Sequence, residues 1–252
     1  MKKLILFLLL ILSTLSFSVK KLYVGTNAEF KPYEYLENGE IVGFDIDLME
    51  AIGEKLGYEI VWHNMSFDGL LPALQMKKID AVIAGMGQTP ERQKAVTFSM
   101  PYLFIEGGHY VLVAENSPLT KKEELKGKQV GVQIGTVQEE FTINVGGIPK
   151  LYDSWTGALM DLKNGKVDAV IIADISAEEY LKNLDGIKKI DIIFDTKPGA
   201  SVAFRKGNTE MAEKFNKALL ELDAEGKYLE ILKKYFPDKL DNYDAYKKAN
   251  NL

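Results

Sequence analysis

The chain has 252 residues, 27% of them charged and 46% hydrophobic, which suits one large or two small globular domains. Cysteine is absent and there are two histidines, so disulfides, thiolate chemistry and a histidine-rich metal centre are excluded. The net charge is −5 with no basic stripe, which argues against nucleic acid as a partner.

Residues 1–18 read as a secretory signal peptide: Lys2 and Lys3, an unbroken apolar run over Leu4–Leu12, then small residues at Ser16 and Ser18. That run is too short to span ~30 Å of hydrocarbon. With no cysteine for a lipid anchor, the expected location is the periplasm. The segments that follow alternate between strand and helix patterns. Lys21–Thr26 is a strand, followed by a turn-rich segment to Gly39. Apolar residues at Phe44, Leu48, Ala51, Ile52 and Leu56 predict a helix ended by Gly57. Tyr58–Trp62 is a strand, Asp68–Lys77 a short helix with Pro72 near its start, and Asp80–Met86 a buried strand. The pattern then restarts. Tyr110–Ala114 and Lys128–Gln133 are strands, with a capping box at Thr120 and Glu123 between them. Helices are expected over Val137–Asn144 and Ser154–Asn164, strands over Val167–Ile172, Ile190–Phe194 and Ala200–Arg205, and an amphipathic region over Met211–Phe236 split by Gly226. Two α/β units of similar rhythm follow from this order, ahead of a polar tail from Asp238.

The segment Ala84-Gly85-Met86-Gly87-Gln88-Thr89-Pro90-Glu91-Arg92 joins a buried strand to a helix, with Thr89 as its cap and Pro90 as its first residue. Its glycines allow a ligand close to the backbone, and Arg92 can meet a carboxylate with two parallel hydrogen bonds. An ordinary turn with a surface arginine explains the same residues. It is not a dinucleotide fingerprint, because Pro90 stands where the third glycine belongs. Gln133-Ile134-Gly135-Thr136-Val137-Gln138 repeats the strand–glycine–helix arrangement, and Phe30 and Phe67 are aromatic residues in polar or helix-start positions. Gly199-Ala200-Ser201-Val202-Ala203 lacks the helix that a nucleophile elbow needs. His63 and His109 have no partner that sequence identifies, and read as solvated or capped.

These signals occur together with several more blocks in one order. They include Gly25-Thr26-Asn27-Ala28-Glu29-Phe30, Pro32-Tyr33-Glu34-Tyr35, Val42-Gly43-Phe44-Asp45-Ile46-Asp47-Leu48 and Phe67-Asp68-Gly69-Leu70-Leu71-Pro72. Further along stand Phe98-Ser99, Pro101-Tyr102, Val130-Gly131-Val132, Asn164-Gly165, Val167-Asp168-Ala169-Val170 and Tyr235-Phe236. The mature chain resembles, over essentially its whole length, the polar amino-acid-binding proteins of ABC importers, extracellular solute-binding protein family 3. The resemblance implies a two-lobed α/β fold of the type II periplasmic-binding kind. Each lobe is a mixed, mostly parallel sheet flanked by helices, and two hinge strands cross between them. Lobe 1 is expected over 19–105 plus 200–252 and lobe 2 over 106–199, with crossings near Tyr102–Glu106 and Pro198–Ser201.

It further implies that Arg92 grips the ligand carboxylate, and that Gly85 and Gly87, with Met86 between them, form the loop whose backbone binds the ammonium and carboxylate groups. Thr136 and Val137 would add donors from the other lobe, Phe30 and Phe67 would form the walls, and Gln133 and Gln138 would tune selectivity. Asn27 and Glu29 would read the side chain. Gly87 departs from the usual hydroxyl residue. Ala173 stands where relatives carry the acidic residue that pairs with the ammonium, and Asp174 either takes over that role or caps the following helix. The implied ligand is a free amino acid, preferably arginine or lysine and next glutamine, delivered by a monomeric receptor to a membrane permease without cofactor or metal. A cyclohexadienyl-dehydratase-like enzyme on the same scaffold is the alternative.

Overall fold

The structure is a computed structural model that describes residues 19–103, 107–195, 199–240, 243, 247 and 248. The expected signal segment and most of the tail lie outside the described residues. Two five-stranded sheets organise the chain. The first has the order β5 (Tyr58–Asn64), β1 (Lys20–Thr26), β6 (Ala81–Val82), β13 (Ala200–Arg205) and β7 (Val96–Leu103). The second has the order β10 (Ile148–Tyr152), β9 (Gln129–Gln133), β11 (Ala169–Ala173), β8 (Gly108–Ala114) and β12 (Ile187–Phe194). Both sheets are mixed in the same way. β1 runs parallel to β5 and β6, whereas β13 runs antiparallel to β6 and β7. In the second sheet β9 runs parallel to β10 and β11, and β8 antiparallel to β11 and β12. The chain passes from first sheet to second between β7 and β8 and returns between β12 and β13. Residues 104–106 and 196–198 of those passages lie outside the described residues.

The apolar runs of the central strands follow from burial on both faces. In β11, Val170 and Ile172 pack with Trp155, Leu159 and Leu162 of helix α5 (Trp155–Lys163), while Ala169 and Ile171 pack with Val111, Val113 and Val130 on the opposite face. The first sheet is covered on one face by α1 (Phe44–Leu56), α7 (Thr209–Ala224) and α8 (Lys227–Tyr235), through Phe44, Leu48, Ile52, Phe215, Leu219 and Tyr228. Its other face is covered by α2 (Phe67–Gln75) through Leu70 and Leu74. The remaining helices, α3 (Pro90–Ala95), α4 (Val137–Asn144) and α6 (Asp174–Leu181), each begin at the end of a strand or of the loop beyond it. Strand ends therefore point their loops at the gap between the sheets, where open α/β sheets bind ligands.

Several sequence expectations are corrected. The segment expected to be turns up to Gly39 instead holds β2 (Glu29–Phe30) and β3 (Glu34–Glu37), which form a third sheet with β4 (Glu40–Val42). The strand expected over Asp80–Met86 pairs as a strand only at Ala81–Val82, because Gly85 turns the backbone away with φ 54°. Pro72 lies inside α2, which runs from Phe67 to Gln75, rather than at its start. The capping pair is Thr120 with Glu124, not Glu123. The 3-10 turn begins at Lys122, which brings the Glu124 carboxylate to the Thr120 N–H at 2.7 Å.

Candidate functional site

A cavity of about 170 Å³ lies between the two sheets. The ends of β1, β9 and β11 and the loop after β6 all contribute to its lining. Thr89 caps α3 by accepting from the Arg92 N–H at 3.2 Å, and Pro90 opens the helix. This local structure turns Arg92 back over the loop. Its Nη1 donates to the Gly87 carbonyl at 2.9 Å and its Nη2 crosses to the Gly135 carbonyl at 3.0 Å. The guanidinium lies over the Phe67 ring, 5.3 Å from its centroid. Burial lowers its pKa to about 10, so it stays charged at neutral pH.

Gly85 must be glycine on two grounds. Its φ of 54° is left-handed, and a Cβ there would stand 2.7 Å from the Phe30 ring. Phe30 stacks in turn on Tyr33 with centroids 4.7 Å apart, and both line the cavity. The Gly85 N–H donates to Asp45 at 2.8 Å, and the Tyr102 hydroxyl donates to the same carboxylate oxygen at 2.7 Å. Asp45 therefore ties the glycine loop to β7, the strand that leads toward the second sheet.

Burial pushes the Asp45 carboxyl up to about 6, against the hydrogen bonds from Tyr102 and Gly85. Its contribution to stability is therefore full below the unfolded value of 3.8 and is lost as pH rises through about 6. At ~1.4 kcal/mol per pH unit the loss is about 3 kcal/mol. Asp45→Asn should remove this dependence. In urea unfolding, the variant should gain about 2–3 kcal/mol on the wild type between about pH 4 and about pH 7. Parallel pH profiles for the two proteins would refute it.

From the second sheet, Gln133 Nε2 donates to Asn27 Oδ1 at 3.0 Å and to the Asp153 carbonyl at 3.1 Å. Thr136 donates its hydroxyl to the Gln133 carbonyl at 2.6 Å, so it braces the turn before α4. Gln138 Nε2 lies 3.1 Å from His109 Nδ1, and its Oε1 is buried without a partner among the described residues. Asp174 is the first residue of α6, with Ala173 in the cap position. Its carboxylate accepts from the Gly108 N–H at 3.0 Å and the Ile175 N–H at 2.7 Å.

Of the residues singled out from sequence, the cavity brings together Asn27, Phe30, Phe67, Gly85, Gly87, Arg92, Gln133, Thr136, Val137, Gln138 and Asp174. It does not bring in Glu29 or Met86. Glu29 accepts instead from the Trp155 N–H at 3.2 Å, and burial raises its pKa against that bond. Met86 packs in the core between α2 and the first sheet, 1% exposed. Sequence reasoning missed Glu34, Trp155 and Asp195 as lining residues. It also misread His109, which is not solvated. His109 lies within β8, is buried, lines the cavity, and faces Asp195 at 3.7 Å. The one local signal beside it is the glycine pair Gly107-Gly108 at the strand start: Gly107 leaves room for the Asp174 carboxylate and Gly108 for the backbone of Ile193.

Direct bonds hold the two sheets together around the cavity. Besides Arg92–Gly135 and Gln133–Asn27, Ser176 donates to the Lys31 carbonyl at 2.9 Å, and Lys31 pairs with Glu179 at 3.2 Å. The arrangement is closed, and it encloses a space lined by aromatic faces, one arginine and several acidic groups. That space suits a small zwitterion.

The comparisons with known proteins agree. The arginine-binding extracellular protein ArtP of Bacillus subtilis is 40% identical over 224 residues, covering 86% of each chain. An ancestral arginine-binding protein bound to arginine is 44% identical, with a TM-score of 0.78 over 86% of this chain and 98% of that one. An ancestral arginine-binding protein bound to glutamine superposes with a TM-score of 0.78, also at 44% identity, over 86% of this chain and 97% of that one. The family model for bacterial extracellular solute-binding proteins, family 3, matches residues 22–238. Relatives named for binding leave the dehydratase-like alternative without support. The chain belongs to the bacterial extracellular solute-binding proteins, family 3, and is an amino-acid receptor of an ABC importer.

Proposed function

We propose that this receptor takes a basic amino acid, arginine first and lysine next, and that glutamine is the alternative. The observation that carries this reading is the lining of the cavity. Phe30, Phe67 and Trp155 offer apolar faces for a long side chain, and the carboxylates Asp174 and Asp195 outnumber the cationic Arg92. Arg92 and the Val137 N–H at the start of α4 receive the ligand carboxylate. The relatives named for arginine support the same choice. Micromolar affinity requires about −8 kcal/mol, roughly half the ceiling for a ligand of about ten heavy atoms. That demands contact with both sheets at once.

The two lobes of this receptor are 19–105 plus 200–252 and 106–199, a division supported by the way the chain crosses between the sheets. Ligand favours their closure because it touches both only when they are closed. The closed monomer then presents the surface that the permease reads, outside the cytoplasmic membrane, after residues 1–18 have directed export. Calorimetric titration of the mature protein, refolded free of carried-over ligand, against the common amino acids tests the assignment. One saturating response to arginine at micromolar or tighter affinity is expected. A response to glutamine alone would move selectivity to the Gln138 amide, and silence across the panel would sink the reading.

A further inference from the structure

β2 is an edge strand of the third sheet. It pairs on one side with β3, and the Phe30 carbonyl accepts from the Tyr33 N–H at 2.8 Å. The carbonyls of Glu29 and Lys31, before and after it, accept from two hydroxyls of α6. Tyr180 donates to Glu29 at 3.3 Å and Ser176 to Lys31 at 2.9 Å. The two spacings match. Residues four apart on a helix share a face and lie ~6 Å apart along it, and alternate residues of an extended chain lie ~6.6 Å apart. Successive strand side chains leave on opposite faces. Phe30 accordingly lines the cavity, while the Glu29 carboxylate reaches the first N–H of α5, that of Trp155, at 3.2 Å. A helix N-terminus favours a carboxylate there, and Ser154 satisfies the Gly157 N–H of the same turn at 3.1 Å.

We propose that these three bonds form a latch that sets how tightly the receptor closes without reading what it holds, and that Glu29 is its main positioning residue. This rests on the amino-acid receptor reading above. β2 belongs to the first lobe and α5 and α6 to the second, so opening separates all three pairs. Glu29, Ser176 and Tyr180 lie outside the cavity lining. Arg92, Asn27 and Gln133 also bond across the sheets, but they line the cavity, where a ligand reshapes their contacts. The latch therefore contributes the same free energy whichever amino acid is enclosed. Lys31 and Glu179 pair beside it at 3.2 Å and add little. The Lys31 side chain is 47% exposed, and Glu179 is shared with Lys182. Ser176, by contrast, is buried at 0% exposure, so its bond to Lys31 is shielded from water.

The experiment is calorimetry of the mature protein with L-arginine and with the next tightest of L-lysine, L-histidine and L-glutamine. Arginine dissociation is followed beside it by stopped-flow tryptophan fluorescence. The variants are Glu29→Ala, Tyr180→Phe and a triple variant that adds Ser176→Ala to both. Glu29→Ala should weaken both amino acids about tenfold, Tyr180→Phe about fivefold and the triple variant about a hundredfold. The ratio between the two amino acids should hold within about twofold, and the loss should fall on the dissociation rate with association unchanged. Glu29→Gln keeps an acceptor oxygen for the Trp155 N–H and should recover part of the affinity. Lys31→Ala is the control, with a loss of about twofold or less. One amino acid bound per chain shows that a variant is folded. Wild-type affinity and dissociation in the triple variant overturn the latch and leave the receptor reading standing. A loss confined to one of the two amino acids also overturns it and makes Glu29 a ligand contact. Failure of the wild type to bind any of the four amino acids overturns both readings.

Discussion

Replacing Arg92 with alanine is expected to lower affinity for an amino acid by about a hundredfold or more while leaving the fold intact. Hydrogen bonds to a charged partner contribute about 1.5–3 kcal/mol each, so a two-pronged grip on a carboxylate is worth about 3–5 kcal/mol, or 10²–10⁴ in affinity. The guanidinium is already positioned for this. Nη1 and Nη2 are fixed by the Gly87 and Gly135 carbonyls, and the Phe67 ring lies beneath the plane. Among the described residues its remaining N–H donors have no hydrogen-bond partner and can meet a ligand. The bond to Gly135 also joins the two sheets, so removing Arg92 weakens closure as well as contact. Arg92→Lys retains the charge but not the planar fork, and should recover only a small part of the affinity. Titration of both variants beside thermal melting measures the outcome. A wild-type affinity in Arg92→Ala would remove Arg92 from the site.

Much of the architecture could be read in the sequence because burial imprints a period on it. The run Ala169–Ala173 is apolar at every position, and the structure shows why: its alternate side chains enter two different cores. Helix ends were equally legible where a cap is chemical, as at Thr89 with Pro90 or at Gly226. Two of the strands that the sequence reading did not predict share a feature. β7 contains Pro101, β10 contains Pro149, and both lie at sheet edges, where a missing N–H breaks no ladder on the open side.

The site divides along a similar line. Residues on strand-end loops with a chemical signature, such as Gly85, Arg92, Thr136 and Gln138, were legible. Those whose role depends on what faces them from elsewhere in the chain were not. Glu34 is an ordinary acidic residue in a short strand until Asp45 is folded behind it. Glu29 was expected to read a ligand side chain, yet its carboxylate reaches across to the Trp155 N–H. His109 becomes a buried lining group only because β8 pairs with both β11 and β12, which brings Asp195 to its ring. Long-range pairing of this kind leaves no local pattern to read.

Gly43 connects these levels, and Gly43→Ala is expected to be the most damaging single-methyl change near the site. The residue has φ 140° and ψ 178°, a region open essentially to glycine alone. An added Cβ would lie 2.1 Å from the Tyr33 carbonyl oxygen and 2.9 Å from the Glu34 Cα, both backbone atoms. The contact is this close because the start of α1 is laced to the turn before β3. Phe44 N–H donates to the Pro32 carbonyl at 3.0 Å, and Asp45 N–H to the Tyr33 carbonyl at 2.9 Å. Relief must push the Tyr33–Glu34 segment outward, which unstacks Tyr33 from Phe30 and separates Glu34 from Asp45. Strain of about 1–3 kcal/mol plus the backbone overlap gives a loss of about 4 kcal/mol, or roughly 10 °C in melting temperature. Gly39→Ala is the matched control. Gly39 also has positive φ, 87°, but a Cβ there meets nothing within 4 Å, so about 1 kcal/mol is expected. Amino-acid affinity, measured well below the melting temperature, should fall in Gly43→Ala and hold in Gly39→Ala. Equal melting of the two variants would show that the link between α1 and the cavity wall is softer than its backbone hydrogen bonds imply.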